Sequence, residues 1–173
     1  EAARQIRRFA VQEMGLPDND SYKNYAALER QYVLWNVVAT PELSLKPLQW
    51  CFPVAGCVNY RGYYSKDEAQ AYARQLRAEG HDVEVGGVSA YSTLGWFSDP
   101  LISTFINYPD AELARLIFHE LAHQMTYVQG DSRFNESFAS AVEEEGVALW
   151  LERYGNPAMR EGYARYTVRR KDF

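Results

Sequence analysis

At 173 residues the chain is long enough for one domain with a real core, and 47% hydrophobic against 24% charged residues is an ordinary globular balance. No apolar run approaches the ~18 residues a membrane helix needs. A net charge of −5 with no basic stripe gives no footing for nucleic acid, and the short Arg169-Arg170-Lys171 cluster is read as a solvated helix end. The chain starts at Glu1 rather than Met, so the lack of a visible secretory signal excludes nothing.

Ala2 to Met14 carries Ile6, Phe9, Ala10 and Met14 near helical spacing and is predicted to be a helix, ended by the turn signals from Gly15 to Asp20. Ser21 is placed to cap a second helix through about Arg30. Trp35 to Thr40 reads as a strand stopped by Pro41, and a Pro-containing loop runs from Leu43 to Pro53. Cys57 to Tyr60 is strand-like. Lys66 to Glu79 sets Ala69, Tyr72, Ala73 and Leu76 on one face with Gly80 just past its end, which predicts a helix. Asp82 to Thr93 reads as a Gly-kinked hairpin or strand pair. After Pro100 the chain turns helical. Leu113 to Val128 is apolar on most sides and predicts a central buried helix, broken by Gly130-Asp131-Ser132. Asn135 to Tyr154 is the next helix, and a charged one follows Gly155-Asn156-Pro157. The pattern is α+β in a single domain over 1–173, with helices and a small sheet over 1–100 and a helical half over 101–173. The spacing of the two cysteines, Cys51 and Cys57, leaves a disulfide and a pair of buried thiols equally open.

The predicted central helix contains His119-Glu120-Leu121-Ala122-His123, an HExxH segment. Residues four apart lie one above the other on a helix face, so both imidazoles can reach one cation. Glu120 then stands beside the first ligand, placed to take a proton from water held at the metal. Zinc suits such N and O donors, and a catalytic site needs a third protein ligand plus an open position. The longer HExxHxxGxxH pattern fails, because position 126 is Thr and no His follows His123; His81 lies beyond the Gly80 helix stop and is read as a surface residue. A carboxylate is therefore expected as the third ligand, with Asp131, Glu136, Glu143, Glu144 and Glu145 as candidates. An oxyanion stabiliser is also needed, for which Tyr91, Tyr127, Tyr163 and Arg61 are all open.

These residues carry a resemblance. HExxH followed by a helix bearing Asn135-Glu136-Ser137-Phe138-Ala139 is similar to the gluzincin metallopeptidases of alanyl-aminopeptidase type. Tyr60 to Tyr64, Ala90 to Phe97, Phe118 to Gln124 and Phe134 to Gly146 together resemble a bacterial family of predicted aminopeptidases, over about residues 30 to 155. The resemblance implies a zincin-like fold, a small sheet with an edge strand beside a helical half, and one zinc per chain held by His119, His123 and Glu136. It gives Glu143 the task of orienting His119 through its far nitrogen, with Glu144 and Glu145 facing solvent. It lays a peptide substrate along Ser92, Thr93, Leu94 and Gly95. It also favours a Cys51–Cys57 disulfide and a cell-envelope or periplasmic location. Two departures limit the transfer: twelve residues (124 to 135) form a short spacer between His123 and Glu136, and no GxMEN-like segment occurs. The zinc chemistry carries over and the exopeptidase specificity does not. An aminopeptidase is the expectation; a zinc endopeptidase, or an envelope binding or assembly protein that keeps a zinc site, is the alternative.

Overall fold

The computed structural model describes residues 1–53, 56–90, 93 and 96–171. In chain order the elements are α1 (Ala2–Gln12), β1 (Tyr25–Ala26), β2 (Leu34–Pro41), β3 (Trp50–Phe52), β4 (Gly56–Val58), β5 (Arg61–Tyr63), α2 (Lys66–Ala78), β6 (His81–Val88), β7 (Leu101–Ile102), α3 (Asp110–Met125), α4 (Ser132–Tyr154) and α5 (Pro157–Lys171). The chain is mixed α/β and divides into two units, one of Glu1–Ala27, Ser92–Tyr127 and Asn135–Phe173, the other of Leu28–Tyr91 and Val128–Phe134. No helix among the described residues is long and apolar enough to cross a membrane.

The second unit is built on a three-stranded antiparallel sheet, β5-β2-β6, backed by α2. Ala69, Ala73 and Leu76 of α2 pack on Val37 and Ala39 of β2. Ser65 caps α2 by accepting the Glu68 N–H, and Gly80 ends it with a left-handed φ of 86° that favours glycine. Within Asp82 to Thr93 the described part shows no kinked strand pair up to Val88: β6 is one unbroken strand paired with β2 from His81 to Val88, while residues 91 and 92 lie outside the described residues. Gly87 serves packing instead of a bend, since a Cβ there would stand 2.5 Å from the Tyr32 ring, whereas Gly86 faces open space. The loop expected over Leu43 to Pro53 ends in strand β3, which forms a small hairpin with β4. Cys51 and Cys57 are directly opposite across that hairpin and are joined by a disulfide.

The first unit is mostly helical. Helix α1 buries Ala3, Ile6, Phe9 and Ala10 along one stripe, and the Phe9 ring sits 6.0 Å from that of Phe118 on α3. The expected helix from Ser21 to Arg30 is absent. Tyr22 takes a φ of 59°, which no right-handed helix continues, and its N–H donates to the Asp99 carbonyl. Ser21 is buried, and its Oγ accepts from the Asp99 N–H and from Gln124 Nε2 at 3.2 and 3.3 Å. Buried Arg7 of α1 donates to the carbonyls of Ser21 and Asn19 and so holds this turn. The chain after Pro100 is not yet helical either: Leu101–Ile102 pairs in parallel with Tyr25–Ala26, and α3 begins at Asp110.

Candidate metal centre

Helix α3 opens with Asp110 and Glu112 in its first turn, where carboxylates meet the positive end of the helix dipole. It buries Leu113, Ala114, Leu116, Ile117, Phe118, Leu121 and Ala122 and stops where Thr126 turns extended. Arg115, His119 and His123 recur every four residues and so lie along one side of this anchored helix. The two imidazoles meet edge to face at 86°, with their Nε2 atoms 3.1 Å apart.

Helix α4 brings the carboxylates. Asp131 accepts the Phe134 N–H at 2.9 Å and caps the helix, which therefore begins at Ser132, before the expected Asn135. Glu136 and Glu143 are seven residues apart and share a face. Glu136 places Oε2 3.3 Å from His119 Nε2 and Oε1 3.6 Å from His123 Nε2. Glu143, only 1% exposed, places Oε2 2.8 Å from His119 Nδ1. That separation is a hydrogen-bonding one, although the ring N–H is not aimed squarely at the oxygen. Arg115 Nη1 donates to the same oxygen at 2.9 Å, and Arg170 Nη1 of α5 donates to Oε1 at 2.5 Å. Glu144 and Glu145 face solvent, as expected.

The donor set can be tested against a cation. Metal bonds of about 2.0–2.2 Å at tetrahedral angles put donor atoms roughly 3.3–3.5 Å apart. The two imidazole nitrogens are 3.1 Å apart, and each has one oxygen of the Glu136 carboxylate near it, Oε2 at 3.3 Å and Oε1 at 3.6 Å. Among the described residues, His119, His123 and Glu136 form a group whose ligand atoms all lie within 4.8 Å of one another. Two imidazoles and one carboxylate, with the carboxylate side chain 64% exposed, can hold a borderline divalent ion and leave it open to solvent.

Electrostatics agree with a site built to hold charge. Burial pulls the His119 imidazole down, but its bonds to Glu136 and Glu143 and the Glu120 charge outweigh this and push it to about 9. The bond to His119 holds Glu136 below the usual carboxylate range. Burial works to raise Glu143, yet His119, Arg115 and Arg170 together hold it low. Burial lowers His123, whose Nδ1 is buried with no hydrogen-bond partner among the described residues. Burial raises Glu120 to about 7; His119 and Arg115 pull it back, while Glu136 and Asp99 add to the rise.

The other sequence-predicted residues scatter. Ser92, Leu94 and Gly95, and Tyr91 with them, lie outside the described residues. The Thr93 N–H donates to Asp99 Oδ2 at 3.0 Å, so that group is engaged within the chain. Arg61 stacks over the Tyr63 and Tyr72 rings of the second unit. Tyr163 lies in the field of Glu143, Arg115 and Arg170, and burial foremost pushes its hydroxyl up to about 12. Two residues that touch the site were missed. Arg115 is one turn before His119, a spacing visible in the sequence. Arg170 was read as part of a solvated helix end, and no local signal shows that α5 carries it onto a buried carboxylate.

Two histidines one turn apart on one helix and a carboxylate from the next define a candidate metal centre in a mixed α/β chain. The chain matches the model of the family described as "Putative aminopeptidase" over residues 1–173 and belongs to that family. No curated protein and no solved structure matches it.

Proposed function

We propose that the chain is a zinc-dependent peptidase of zincin-like, gluzincin-type fold, acting as an aminopeptidase. The observation that carries the reading is the convergence of His119 Nε2, His123 Nε2 and the Glu136 carboxylate at 3.1 to 3.6 Å. Membership of the aminopeptidase family supports peptide-bond hydrolysis. A zinc held by these side chains would supply Lewis-acid polarisation of the scissile carbonyl and a lowered pKa for an attacking water. Glu120, next to His119 in the chain, would take a proton from the attacking water and return it to the leaving amine as the C–N bond breaks. Glu143 holds His119 by Nδ1, so that Nε2 is presented to the cation. The Cys51–Cys57 disulfide supports an oxidising compartment such as the cell envelope.

Peptides with free and with blocked amino termini test the reading on zinc-loaded protein. Cleavage confined to free amino termini supports an aminopeptidase, and cleavage of blocked peptides makes it an endopeptidase. Glu120→Gln keeps its zinc and loses hydrolysis by several orders of magnitude. Failure of the zinc-loaded protein to cleave either class overturns the hydrolase reading and favours a metal-binding envelope protein.

A further inference from the structure

We propose that Arg170 and Arg115 are positioning residues of the metal centre: together they fix the Glu143 carboxylate so that it holds His119 by Nδ1. The proposal rests on the reading of His119 as a metal ligand. Glu143 is 1% exposed and has two oxygens for three donors. Oε2 is shared by His119 Nδ1 at 2.8 Å and Arg115 Nη1 at 2.9 Å. Oε1 is held by Arg170 Nη1 at 2.5 Å. One arginine would suffice to balance the charge of a buried carboxylate. The second fixes its rotation, because with Oε1 held from α5, Oε2 stays directed at His119.

The two arginines reach the carboxylate from different places. Arg115 comes from α3 itself, one turn before His119, and its side chain is 16% exposed. Arg170 comes from near the end of the chain, and its side chain is 43% exposed. Among the described residues α5 buries none fully. Its polar ties to the neighbouring helices include this ion pair, the Tyr166 ring under the Arg115 guanidinium at 5.7 Å and the Arg160 bond to the Glu152 carbonyl, with a second Arg160 bond to Gly155 just after α4. Docking of the last helix and orientation of the first histidine are thus one event. Neither Nδ1 has a well-aligned hydrogen bond among the described residues, but His119 Nδ1 has the Glu143 carboxylate 2.8 Å away and no described carboxylate stands beside His123 Nδ1.

The difference between the two histidines gives the test an internal control. Nitrogen–proton correlation spectra of the imidazoles are recorded on the 173-residue chain after chelator treatment, and zinc affinity is measured in parallel by competition with a chromogenic chelator. Arg170→Gln is expected to expose the His119 Nδ1 proton to fast solvent exchange, to leave the His123 signals in place and to weaken zinc binding about 10-fold, within the usual 10–100-fold range for such supports. Arg170→Lys recovers part of both effects, since a point charge replaces the fork. Arg165→Gln, which removes an exposed charge of the same helix that pairs with Glu161, changes neither. The proposal is overturned if Arg170→Gln leaves the His119 signals unchanged, or if His119 and His123 shift together with a loss of fold. Should the native chain bind no zinc, the metal reading fails while the spectra still decide the clamp.

Discussion

Glu136 and Glu143 grip opposite nitrogens of one imidazole: the first lies 3.3 Å from His119 Nε2, the second 2.8 Å from His119 Nδ1. They stand seven positions apart on one helix, so one rigid face supplies both. Their exposures separate their tasks. Glu136, at 64%, can meet a cation and solvent, whereas Glu143, at 1%, meets only protein.

That division predicts different losses. Glu136→Ala removes a ligand charge and should abolish tight zinc binding. Glu143→Gln keeps the shape and should cost about 10–100-fold in affinity or activity. Chelator competition measures both. If the larger loss falls on Glu143, the ligand assignment is wrong.

Gly146 sets the approach of α4 to the core. A Cβ there would stand 2.8 Å from Phe118 Cδ2 and press on the Met14 methyl. Phe118 is fully buried and cannot withdraw. Gly146→Val should lower unfolding stability by about 1–3 kcal/mol, the usual cost of overpacking. Denaturant titration checks it, and an unchanged midpoint would show that the helix has room.

Stability of chelator-treated protein should depend on pH through His119. Its native value of about 9 lies above the ordinary 6.5, so the folded state holds the proton more tightly. Its contribution is full below about pH 6.5 and is lost as pH rises through 9. Glu120, raised to about 7 from 4.5, acts in the same direction at lower pH. The thermal midpoint of His119→Gln should lack the decline between pH 6.5 and 9 that the native chain shows. Parallel curves for the two proteins would contradict the assignment.

Sequence spacing placed His119 and His123 together because i and i+4 on a helix leave little freedom, and Glu136 and Glu143 follow the same rule at i and i+7. What it did not show depends on contacts between distant segments. Ser21 has the local look of a helix cap, but its hydroxyl is taken by Asp99 and Gln124 from far along the chain. Gly86 and Gly87 look like a kink, but pairing with β2 runs straight through them, and the Tyr32 ring over Gly87 accounts for the missing side chain at that position. Arg170 looks solvated because nothing in its neighbours along the chain reports that α5 docks beside Glu143.

Elemental analysis of the intact chain purified without chelator measures the occupant of the His119, His123 and Glu136 site. About one zinc per chain is expected, falling to near none in His119→Ala and His123→Ala. No bound metal, or iron in place of zinc, with both histidines intact, would contradict the zinc assignment and the peptidase mechanism built on it.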